Sequence, residues 1–81
     1  MILPTKHITP ERALLTIGAE ILTCLREPMT VSRVWDELRK RRAETPKSSV
    51  ITYDWFVLAL DLLFIVRAVD FNSGLLRKAA S

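Results

Sequence analysis

The order of apolar and polar residues along this chain predicts three helices followed by a change of period. Leu14, Ile17, Gly18, Ile21, Leu22 and Leu25 recur at i, i+3, i+4, i+7, i+8 and i+11, one continuous stripe of an amphipathic helix. Thr9 stands before it as N-cap, with Pro10 at the first helical position and Glu11 in the first turn, and Glu27-Pro28 stops it. Val31, Val34, Trp35 and Leu38 repeat the scheme behind Thr30, so a second helix is expected to end near Arg42. "AETPKSSV" then reads as a loop, with Val50-Ile51 extended before Thr52 caps a third helix. After that helix, "RAVDF" and "LLRKA" flank Asn72-Ser73-Gly74, read as a three-residue turn with glycine at a positive φ. The expected fold is mostly α with a small β-hairpin, winged helix-turn-helix-like, over residues 9–81. Residues 1–8, "MILPTKHI", hold a proline and no helical period, and are expected to form an extended N-terminal arm.

The third helix is the unusual one. Phe56, Ala59, Leu60 and Leu63 form an inward stripe, while Trp55, Leu58 and Leu62 form a second at i, i+3 and i+7. The remaining polar positions are Tyr53, Asp54 and Asp61. A helix that reads DNA in the major groove carries Arg, Lys, Asn, Gln or Ser outward, and two aspartates would repel phosphate. A second apolar stripe marks a surface meant to be covered, either by the rest of this chain or by a partner or second copy. Trp55, Leu58 and Leu62 are therefore candidate partner contacts. Ile2 and Leu3 join them, because an apolar extended arm can add as a strand to a partner's sheet edge.

Composition narrows the picture without redirecting it. A chain of 81 residues is one domain at most and buries only ~60 to 65% of the surface its unfolded form exposes. Apolar residues make up 49%, and Gly 2 with Pro 4 argues against a low-complexity chain. Cys24 has no second cysteine for an internal disulfide, which fits a reducing cytoplasm. Met1-Ile2-Leu3 is too short for a signal-peptide apolar region, and Asp61 interrupts the longest apolar stretch, so neither secretion nor membrane spanning is expected.

Candidate chemistry is sparse. His7 has no second ligand at metal spacing, Cys24 sits on the flank of the first helix, and no convergent set of nucleophile, base and oxyanion donors is present. No phosphate-cradling Gly-rich loop occurs, so no enzyme and no cofactor are expected. Twelve Lys and Arg against nine Asp and Glu give a net charge of +3, a mild bias. Arg39-Lys40-Arg41-Arg42 is the one basic run. It offsets the negative end of the second helix, with Asp36–Lys40 and Glu37–Arg41 as expected i,i+4 pairs. Arg39 and Arg42, which share a face, remain candidate nucleic-acid contacts, as do Arg67, Arg77 and Lys78 of the hairpin region.

"ILPTKHITPERALLTIGAEIL", "VWDELRKRR" and above all "ITYDWFVLALDLLFIVRAV" followed by "GLLRK" resemble the middle component 6 family of bacterial ABC-three-component systems. The resemblance covers nearly the whole chain, and its most specific pieces are "LPTKHI...PE" and "TYDWFVLALDLLF". It implies a small companion to an ABC-type ATPase, related to chromosome-maintenance and recombination ATPases, and to a third component bearing effector domains, in defence against phage or other invading DNA. The family offers no catalytic motif to transfer. The first expectation is thus a non-catalytic, cytoplasmic adaptor that joins the ATPase to the effector component, with self-association open and at most weak non-specific DNA contact. A DNA-binding winged-helix transcriptional regulator is the alternative.

Overall fold

Three threonines set where the helices start. Thr9 Oγ1 accepts from the amide of Arg12 at 3.3 Å, Thr30 Oγ1 from that of Arg33 at 3.2 Å, and Thr52 Oγ1 from that of Trp55 at 3.5 Å. Each removes one of the unpaired donors of a helix N-terminus. The structure, a computed structural model, describes residues 9–44 and 51–79. In these, α1 spans Pro10–Cys24, α2 Val31–Glu44 and α3 Tyr53–Ile65, followed by β1 Val69–Asn72 and β2 Leu75–Lys78. The expected arm, with Ile2, Leu3 and His7, lies outside the described residues, as does the loop beyond Glu44 as far as Val50.

The hairpin is antiparallel with Val69 opposite Lys78 and Asn72 opposite Leu75. That register leaves a two-residue loop, Ser73-Gly74, in place of the expected three-residue turn. Both residues have positive φ, 54° and 79°. Such a turn twists in the same sense as the strands it joins, and so closes the hairpin more tightly than a longer loop.

Sequence periodicity did not reveal a third participant in the sheet. Met29, in the link between α1 and α2, exchanges two backbone hydrogen bonds with Leu76, Met29 N–H to Leu76 O at 2.9 Å and Leu76 N–H to Met29 O at 2.7 Å. A single bridge has no period to detect. It nonetheless ties β2 to the start of α2, so β2 lies between β1 and the link. The protein is thus mostly helical, three helices and an antiparallel hairpin, consistent with a winged helix-like fold.

The core gathers Ile17, Ile21 and Leu25, Val34 and Leu38, Phe56, Ala59 and Leu63, with Val69 and Leu76 closing it from the wing. Phe56 and Leu76 are fully buried, each worth about 1.5–3 kcal/mol relative to exposure. On α1 the buried arc is rotated from the predicted stripe. Ala13 and Cys24 are buried, while Leu14 and Leu22 are only half-buried. The reason is that α1 has two neighbours. Glu20 on one flank meets Arg42 of α2 at 2.6 Å, and Gly18 on the other packs beside Leu63 of α3, so the arc between those flanks is the one covered.

Candidate interaction surface

α3 buries one side and leaves the other open. Asp54, Leu58, Asp61 and Ile65, at i, i+4, i+7 and i+11, are all exposed, Leu58 to 38% and Ile65 to 76%. Leu62 is half-buried and Val66 exposed, and the two face α1 across an apolar groove of about 280 Å³ whose other wall is Leu15, Ala19 and Leu22. Gly18 shapes this groove. A Cβ there would lie 3.3 Å from Leu63 Cδ2, so a glycine leaves room for the Leu63 side chain to pack directly against α1. The exposed Leu15, with the half-buried Leu14 and Leu22, extends the patch of α3 onto α1. Contiguous apolar surface of this kind marks an interaction site more often than chance exposure.

Among the predicted contacts, Leu58 and Leu62 lie on this surface, and Trp55 does not. Trp55 is 5% exposed and belongs to the core. The physical reason is its spacing: Trp55 stands one turn before Ala59 and two before Leu63, both buried, so it continues the covered arc instead of the outward one. Ile65 and Val66 were missed although they continue the stripe of Leu58 and Leu62 at helical spacing, and Leu15 and Ala19 were missed because they join this surface only when α1 and α3 are side by side.

The five candidate nucleic-acid contacts do not converge as free cations. Arg39 pairs with Asp36 at 3.1 Å and lies 5.6 Å from the Trp35 ring centre. Arg42 pairs with Glu20 and is only 12% exposed. Arg77 donates from Nε to Asp70 at 2.6 Å across the hairpin. Arg67 and Lys78 are exposed. Arg39 therefore takes Asp36, which the sequence had assigned to Lys40, and Arg39 and Arg42 turn to different elements although they share a helix face.

The basic helix end has a structural task as well. The Cys24 thiol is buried, and burial pushes its pKa up, opposed by the charge of Arg41 and by a hydrogen bond from it. Trp35, Tyr53 and Phe56 form an aromatic cluster with ring centres 5.0 to 5.6 Å apart, fastening α2 to the start of α3. Phe64 and Phe71, 5.2 Å apart, do the same between α3 and the wing. Among the described residues no group of His, Cys, Asp and Glu could hold a metal ion, and no helix is long and apolar enough to cross a membrane.

These features define a small winged helix-like domain whose open α3 face is apolar and acidic, not basic. The chain matches the family described as ABC-three component (ABC-3C) system Middle Component 6 over residues 3–79, and it belongs to that family. Neither a curated protein nor a solved structure matches it.

Proposed function

We propose that this middle component is a non-catalytic adaptor that joins the ABC-type ATPase of its system to the effector component through protein–protein contacts, in the cytoplasm and in defence against invading DNA. The observation that carries the reading is the outward surface of α3, where Leu58 lies between Asp54 and Asp61 and Leu62, Ile65 and Val66 continue the apolar surface beyond Asp61. In a winged helix that acts on DNA this helix would carry the base-reading side chains. An apolar surface with carboxylates suits a protein partner and opposes a phosphate backbone.

The test is co-expression of the chain, tagged, with the products of its two flanking genes. All three are expected in one purified complex, and the Leu58→Ser, Leu62→Ser double variant is expected to fold and to lose that association. Recovery of the ATPase and effector components as a complex that excludes the wild-type chain would refute an adaptor role.

A further inference from the structure

Resting on the reading of the α3 surface as an interface, we infer that its occupant is an amphipathic helix of the ATPase or effector component, seated in the groove between α1 and α3 with an edge of Lys or Arg lying along α3.

Hydrogen bonding selects a helix over an extended segment. The groove is walled by Leu15, Gly18, Ala19 and Leu22 of α1 and by Leu62 and Leu63 of α3, two helices whose main-chain groups are bonded within themselves. They offer no strand edge. An extended chain laid there would leave its own amides and carbonyls unpaired beneath the contact. A helix arrives with those groups satisfied and needs only apolar side chains at i, i+3, i+4 and i+7 to fill the recess of about 280 Å³.

The charges fix which edge of that helix is basic. Residues advance by about 100° each round an α-helix, so the order round α3 is Leu62, Leu58, Ile65, Asp54 and Asp61, and the two exposed carboxylates border the apolar ridge on the side away from the groove. Asp54 lies in the first turn, where a carboxylate offsets the positive end of the helix. Asp61 has no such use. Its neighbours at i−4, i−3, i+3 and i+4 are Val57, Leu58, Phe64 and Ile65, all apolar, and among the described residues it makes no ion pair. A partner that covers Leu58 and Ile65 takes water from Asp61 as well, and a carboxylate deprived of water without a counter-charge opposes binding. A Lys or Arg on the partner helix supplies that counter-charge. Round α1 the order is Leu22, Leu15, Ala19 and the exposed Arg12, so the opposite border of the groove carries a cation. The basic edge therefore faces α3.

Binding of the purified full-length chain to each purified component tests this, with hydrogen exchange of the component followed in the presence and absence of the chain. The newly protected segment is expected to be a helix with an apolar stripe and Lys or Arg along one edge. Asp61→Lys is expected to fold, as circular dichroism would show for so exposed a position, and to weaken binding by roughly ten-fold or more, with Asp61→Asn weakening it less. Replacing the basic residues of the protected helix by Glu is expected to recover most of the loss against Asp61→Lys.

A protected segment that is extended or lacks a basic edge would overturn the proposal, as would full affinity in Asp61→Lys or a charge exchange that recovers nothing. The adaptor reading fails separately. If the Leu58→Ser, Leu62→Ser double variant loses binding while Asp61→Lys keeps it, the surface remains an interface and the basic helix alone is sunk. If such a helix binds from one component and the other is never recruited, the helix stands and the adaptor falls. Binding to neither component overturns both.

Discussion

Arg67 and Gly74 occupy the same kind of backbone position with opposite side-chain endowments. α3 ends with Ala68 N–H on Leu63 O at 2.8 Å and Arg67 N–H on Phe64 O at 3.1 Å, the paired bonds that close a helix through one left-handed residue. That residue is usually glycine, and here it is Arg67, at φ 61°. Its positive charge next to the helix C-terminus recovers part of the conformational cost. Gly74, at φ 79°, has nothing within 4 Å of where a Cβ would stand, so only backbone strain opposes a side chain there. Urea denaturation of dilute protein is expected to show Arg67→Gly stabilising by about 0.5–1 kcal/mol and Gly74→Ala destabilising by about 1 kcal/mol. Changes of the same sign in both would show that backbone conformation is not the controlling term.

At the level of elements, α3 is a helix with two uses for one apolar surface. Its buried arc runs from Trp55 through Ala59 to Leu63, and its open arc carries Leu58 and Ile65. Both look alike in sequence, since each is a set of large apolar residues at helical spacing. Stability should separate them. Trp55→Ala is expected to cost about 3–5 kcal/mol, because it leaves a cavity in a core too thin to collapse around it. Leu58→Ser is expected to cost less than about 1 kcal/mol, because its side chain already meets water. Thermal unfolding of the two variants under dilute conditions checks this, and an equal loss in both would place Leu58 in the core after all.

For the molecule as a whole, charge arrangement matters more than the net charge of +3. Arg39, Arg42 and Arg77 are each held by a carboxylate, and Asp54 and Asp61 project from the helix that would have to approach phosphate. Binding of the isolated chain to duplex DNA is accordingly expected to be weak and indifferent to sequence, with Kd on the order of 10⁻⁴–10⁻⁶ M and a further loss as salt rises. Fluorescence anisotropy with two unrelated duplexes at two salt concentrations measures both properties. Tight binding to one duplex that persists at physiological salt would favour the regulator reading over the adaptor.

The chain's own residues determined whatever depends on neighbours a few positions away. Thr9, Thr30 and Thr52 cap the helices they were expected to cap, and the polar turn with Gly74 folds the hairpin, because capping and turn chemistry act over three or four residues. The apolar period located Ile17, Ile21, Val34, Leu38, Phe56 and Leu63 in the core for the same reason. Tertiary structure decided which apolar residues are left over. Leu22 lies partly outward because α2 and α3 cover one particular arc of α1, Trp55 lies inward because it continues the covered arc of α3 through Ala59 and Leu63, and Met29 became a strand partner because Leu76 offered it a free edge. The groove between Leu15 and Leu62 likewise exists only once α1 and α3 lie side by side. Periodicity reports how much of a helix is apolar, and only packing determines which part of that surface remains open.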